Sequence, residues 1–290
     1  MAQTEQEKLI GLHPAAPHIY GVWLKSTDLA VSGNKKHRKT EEIDGTRDAA
    51  INALAQWIVD YHVHNHKRKV IARKKAILEK HDLDDYIDKM KLLPKAENTK
   101  KGNLGEIVLI EYMKESRGFE PIVHKLQYNT NVESAMKGDD VLMFNTGDLF
   151  SEVIYGECKF RSTPSKAVVD EIVKNQEGSK RLPASLEFVA NVLDDRGETD
   201  LADNITELHI KIEDGTVPVT NVGFLISTKS DVREGQDTTK QVEKHLKTSN
   251  PRLVMISLGV DNPVQIVDEA FKRADDMIRL CKKICHRYSR

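Results

Sequence analysis

Glu157 and Lys159 stand two positions apart in the segment Val153 to Phe160. In an extended strand, residues two apart share a face, so this spacing sets a carboxylate beside an ammonium, with Ile154, Cys158 and Phe160 on the opposite side. Asp140 shares a strand face with Leu142 and Phe144 in the preceding apolar stretch, and a hairpin between the two would bring Asp140 next to Glu157. Two carboxylates so placed can hold one or two hard cations through oxygen, as Mg²⁺ prefers, with Mn²⁺ as the alternative. Such a set suits phosphodiester cleavage. The metal lowers the pKa of a bound water and offsets charge building on the phosphorane, while a lysine positions that water or helps to deprotonate it.

A Glu-x-Lys pattern on a strand is by itself weak, because charges alternate on the wet face of many antiparallel strands. Its weight comes from order: a helix carrying Glu106, two strands of which the second holds Asp140, the Glu157/Lys159 strand, then another helix. Glu106 is followed at helical spacing by Leu109, Ile110 and Met113, an apolar face on which a carboxylate needs compensation. With Asn103 as N-cap and Glu106 at the third helical position it also matches a capping box, a role compatible with an outer metal ligand. Asp139 competes with Asp140, since a one-residue register change swaps faces. Glu133 and Asp148 read as loop residues. His62, His64 and His66 lack a cysteine or acidic partner at zinc spacing and read as a surface helix end.

The elements that must position these residues follow from periodicity. Residues 1 to about 45 hold a strand or two, with Ile19 to Leu24 as an apolar stretch. From Thr46 the spacing Ile51, Leu54, Ala55, Ile58, Val59 predicts a helix, continued after a break as a charged helix through Lys80 and a short one over Asp82 to Leu93. The polar run Lys95 to Lys101 marks a boundary. It divides a mostly helical N-terminal region, residues 1–95, from a second domain, residues 96–290. That domain reads as helix over Asn103 to Ser116, strands over Pro121 to Tyr128, Asp139 to Phe144 and Glu152 to Phe160, and helix over Lys166 to Lys180. More helix and an acidic loop fill Pro183 to Gly215. Strands over Asn221 to Thr228 and Leu253 to Leu258 precede a long amphipathic helix, Pro263 to Tyr288.

The composition, 39% hydrophobic and 31% charged over 290 residues, is that of a folding α/β (α+β) protein. No apolar run is long enough to cross a bilayer and the first residues lack a signal-peptide pattern, so a cytoplasmic protein with no membrane partner is expected. Of three cysteines, Cys281 and Cys285 sit on neighbouring turns of one predicted helix, poorly placed for an unstrained disulfide, which favours reduced thiols. Net charge is −1, so a polyanion would have to be bound by local clusters. Three exist: Lys35, Lys36, His37, Arg38 and Lys39; Lys67, Arg68, Lys69, Arg73, Lys74 and Lys75; and Arg279, Lys282, Lys283, His286, Arg287 and Arg290. Any one of them could equally be a solvated face.

Gly105-Glu106 opening a helix, Lys137-Gly138-Asp139-Asp140 opening a strand and Gly156-Glu157-Cys158-Lys159 on the next resemble the PD-(D/E)xK nuclease superfamily. The stretch from about Ile51 to Arg181, including Lys101-Gly102-Asn103-Leu104-Gly105-Glu106, is similar to the HamA nuclease subunits of Hachiman antiphage defence and the related AbpA family. The resemblance implies a restriction-endonuclease-like αβββαβ core. It also implies a Mg²⁺ site from Asp140, Glu157 and Glu106 with Lys159 as catalytic lysine, DNA as substrate, and a HamB-like helicase as partner. Asp139-Asp140 departs from the family pattern, which more often has an apolar residue first. Rival readings of the same residues are a non-catalytic adaptor that binds nucleic acid or a helicase, and an RNase.

Overall fold

The computed structural model describes residues 2–63, 69–70, 73–74, 77–78, 80–81, 92–128, 132–133, 141–177, 182–229 and 237–284, with side chains through residue 279. Helix α1 (Glu5–Ile10) opens on a capping box in which the Thr4 hydroxyl accepts from Glu7 N at 3.0 Å and Thr4 N donates to Glu7 Oε2 at 2.9 Å. Helix α2 (Ile19–Trp23), on the first apolar stretch, runs directly into strand β1 (Leu24–Asp28), which pairs antiparallel with β2 (His37–Glu42). The stripe predicted from Thr46 forms α3 (Arg47–His62), with Ile51, Leu54, Ala55, Ile58 and Val59 buried. Half of the charged segment after it, Lys67 to Lys80, and most of the expected helix over Asp82 to Leu93 lie outside the described residues.

Helix α4 (Glu97–Arg117) corrects the expected start at Asn103. It begins six residues earlier, because Glu97 and Lys101 form an i,i+4 ion pair and the polar run consists mainly of residues that a helix accepts. Asn103 is therefore no N-cap. It lies inside the helix, buried, with its amide nitrogen 2.9 Å from His62 Nε2.

The strand expected over Pro121 to Tyr128 does not form. Glu120 makes one antiparallel bridge with Phe144, with N···O distances of 3.0 and 2.9 Å, and Pro121, lacking an N–H, ends it. Lys125–Tyr128 is a turn of 3₁₀ helix. Strands β3 (Val141–Phe144) and β4 (Val153–Phe160) follow, then helices α5 (Lys166–Gln176), α6 (Leu182–Asp195) and α7 (Thr199–Glu213), strand β5 (Val219–Thr228), α8 (Thr238–His245), β6 (Leu253–Val260) and α9 (Pro263–Ile284). The mixed α/β class and the long last helix are as predicted.

The six strands among the described residues form one sheet in the order β1-β2-β6-β5-β4-β3, with β2, β6, β5 and β4 parallel and the two edge pairings antiparallel. The sheet thus takes strands from both sides of residue 95. Ile154, Cys158, Phe224, Ile226, Ile256 and Leu258 face α3, α4 and α9 in one core. The other face carries two smaller cores, one of α5 and α8 on Leu225, Leu253 and Met255, the other of α6 and α7 on Phe144, Val153 and Tyr155. Burial on both faces matches the apolar runs of β5 and β6.

Candidate active site

β4 runs between β3 and β5, and its alternation sends Tyr155, Glu157 and Lys159 toward the α5 side. Glu157 is fully buried. Its Oε1 lies 2.5 Å from Lys159 Nζ and accepts a 3.0 Å hydrogen bond from Asn175 Nδ2. Its Oε2 is buried without a hydrogen-bond partner among the described residues. Lys159 Nζ is also 3.2 Å from Glu171 Oε1 on α5, and Glu171 Oε2 is 3.7 Å from Arg161 Nη2. Glu171 and Asn175, one helical turn apart, thereby flank the Glu157–Lys159 pair.

Two glycines set these approaches. Gly223 of β5 is the register partner of Glu157, and a Cβ there would meet Ile172 Cγ2 at 2.6 Å, as well as Met255, so its absence lets α5 descend beside Glu157. On the opposite face a Cβ on Gly105 would lie 2.7 Å from Cys158 Sγ, so α4 sits down on β4 at the residue between Glu157 and Lys159.

Glu106 follows Gly105 and is 14% exposed, with its Oε1 3.4 Å from Lys125 Nζ. Burial raises its pKa; Lys125 is the largest influence pulling the other way, and the Glu157 carboxylate adds to the rise. The two carboxylates thus lie in one electrostatic field. β3 and β4 form the expected hairpin with Val141 opposite Gly156. Asp139 and Asp140 lie outside the described residues. Among the described residues no three His, Cys, Asp or Glu side chains are grouped closely enough to hold a metal ion.

Asn175, Glu171 and Lys125 were not anticipated. Their signal was thin: an i,i+4 polar pair on the helix after the Glu-x-Lys strand, and a lysine in a segment read as strand. Glu133 accepts from Lys95 N and Ala96 N, each at 3.0 Å, at the start of α4, and Asp148 accepts from Phe150 N at 3.2 Å within its turn.

A model of the family described as HamA matches residues 18–274 of the chain. The chain is 38% identical over 272 residues to the Hachiman protein HamA of Bacillus cereus, covering 94% of this chain and 96% of that protein. The chain belongs to the HamA family.

In this HamA-family chain the matched span holds Glu106, Asp140, Glu157, Lys159, Glu171 and Asn175. The first basic cluster has a structural use. Arg38 is buried against Asp28 at 2.6 Å, Lys36 Nζ donates to Pro251 O at 2.8 Å, and Lys35 and Lys39 pair with Glu243 and Glu41 at 2.9 and 3.0 Å. His37 is buried between Glu243 and Ser257, its ring nitrogens 2.6 and 2.7 Å from Oε1 and Oγ. Half of each of the other two clusters lies outside the described residues, and Arg279 pairs with Asp275 at 2.8 Å. His62 is buried, its Nδ1 2.9 Å from Ile58 O, and so is no surface helix end; His64 and His66 lie outside the described residues. Cys158 is buried, while the Cys281 side chain and Cys285 lie outside the described residues. No helix among the described residues is long and apolar enough to cross a membrane.

Proposed function

We propose that this HamA-family chain is a divalent-metal-dependent deoxyribonuclease of a bacterial antiphage defence system, restrained by a helicase partner of that system. The observation that carries the chemistry is Glu157 Oε2, a buried carboxylate oxygen without a partner among the described residues, beside a lysine on the same strand face. An unsatisfied buried polar atom costs about 1–3 kcal/mol, and more when charged, so its retention calls for a use. A hard cation is the ligand that such an oxygen fits, and Glu106 and Asp140 are the further carboxylates that would hold it.

When bound, Mg²⁺ or Mn²⁺ supplies charge neutralisation at the phosphate and a lowered pKa for water. Lys159 contributes an ammonium, held by Glu157 and Glu171, to orient the attacking water or a phosphate oxygen. The defence role is supported by the likeness to a Hachiman protein. The helicase partner is supported by the family resemblance, and an unrestrained DNase would endanger its own cell.

One observation favours the adaptor reading: Lys159 and Glu106 each have an ion-pair partner within the chain, as charges in a disused site would. Incubating the purified chain, with and without the partner helicase, with plasmid, linear DNA and RNA in Mg²⁺ or EDTA separates the readings. The expected result is DNA loss in Mg²⁺ alone, abolished by Glu157→Gln and Lys159→Ala. Preference for RNA would move the substrate, and undiminished phage protection by both variants would sink the catalytic reading.

A further inference from the structure

Glu157 Oε1 is engaged twice, by Asn175 Nδ2 at 3.0 Å and by Lys159 Nζ at 2.5 Å, while Oε2 has no partner among the described residues. A carboxylate turns about its terminal bond with little preference, so a fixed donor on one oxygen decides which oxygen stays open. Asn175 is itself fixed. The carbonyl of its neighbour Gln176 accepts from Asn221 Nδ2 on β5 at 2.9 Å, and Ile172, one turn earlier, packs over Gly223. Gly223 is the register partner of Glu157, so the sheet position that admits the helix adjoins the carboxylate that the helix serves.

We propose that Asn175 is a positioning residue of the metal site, its amide holding Glu157 Oε1 and thereby presenting Oε2 to a divalent cation. This rests on the nuclease reading above. Donors that orient a ligand without touching the metal are commonly worth about 10–100-fold in metal affinity. An amide meets the requirement where a carboxylate would not, because an Asp at this position would face Oε1 with like charge and no proton to donate.

The test is titration of Mn²⁺ into the full chain, with free Mn²⁺ followed by electron paramagnetic resonance, for the wild type, Glu157→Gln, Asn175→Ala and the isosteric Asn175→Asp. Circular dichroism melts in EDTA report the fold. The wild type binds, Glu157→Gln loses binding, and both Asn175 variants bind about 10–100-fold more weakly. In DNA cleavage the Asn175 variants need more Mg²⁺ for half-maximal rate and regain rate at saturating Mg²⁺, a pattern that a packing defect would not produce. Wild-type or tighter Mn²⁺ affinity in the folded Asn175 variants overturns the assignment and leaves the nuclease reading standing. Wild-type affinity in Glu157→Gln, or no binding by the wild-type chain, overturns both. Should Asn175→Ala fail to fold, Asn175→Asp, which keeps the shape, decides.

Discussion

Glu171 Oε1 lies 3.2 Å from Lys159 Nζ, and its other oxygen is 3.7 Å from Arg161 Nη2, so one half-exposed carboxylate bridges both cations at the edge of the candidate site. A phosphate backbone would have to compete with Glu171 for the same two charges. Glu171→Gln should therefore tighten DNA binding about two- to five-fold, the range of an exposed ion pair, and steepen its salt dependence. Fluorescence anisotropy in EDTA, where no cleavage is expected, measures this. Weaker binding by the variant would show instead that Glu171 orients Lys159 for the substrate.

Gly105→Ala should destabilise the fold by about 1–3 kcal/mol, since the added methyl meets Cys158 Sγ and α4 must lift from β4. Adding Cys158→Ala should recover part of the loss. A double-mutant cycle by urea denaturation checks it, and strict additivity would count against the contact.

Glu106→Gln should raise the melting temperature in EDTA at pH 8 by about 2 °C while weakening Mn²⁺ binding. Burial raises the Glu106 pKa, so the folded state binds protons that the unfolded state releases, and stability falls as pH rises from 4.5 through the folded value. At pH 8 the charge is a net cost, and the amide removes it. A lower melting temperature would mean that the Lys125 pair outweighs burial.

Acid should destabilise the protein from about pH 6.5 downward, above the carboxylate range. Burial lowers the pKa of His13, His37 and His124, so the unfolded chain takes up protons at higher pH than the folded one. Their contribution is complete above the unfolded pKa and is lost as pH falls toward the folded values. Asp28 and Glu243, whose pKa values are lowered by their Arg38 and Lys35 partners despite burial, give a second loss below about pH 4.5. His37→Gln should flatten the first phase and leave the Asp28 part of the second, as melts from pH 8 to 4 would reveal.

The strand bearing Glu157 and Lys159 was legible because its apolar alternation is local, as were the α3 stripe and the buried runs of β5 and β6. The start of α4 was not, because a polar run can be linker or solvated helix, and the ion pair of Glu97 with Lys101 decides in favour of helix. The strand expected over Pro121 to Tyr128 was a misreading, because Pro121 lacks the N–H that would carry pairing past the single Glu120–Phe144 bridge. Asn175 and Glu171 could not be found from spacing alone. Their role depends on how close α5 comes to the sheet, which is set by the missing side chain of Gly223, more than sixty residues after Glu157.

The order β1-β2-β6-β5-β4-β3 has a consequence for synthesis on the ribosome. β2, made within the first 42 residues, finds its inner neighbour only when Leu253–Val260 emerges. β4 can join β5 before then, but that pair stays an uncompleted sheet edge while the message is still being read. A ribosome stalled before β6 therefore releases a chain that cannot close its sheet, and an abortive product of translation would carry the Glu157–Lys159 pair in an unfinished fold.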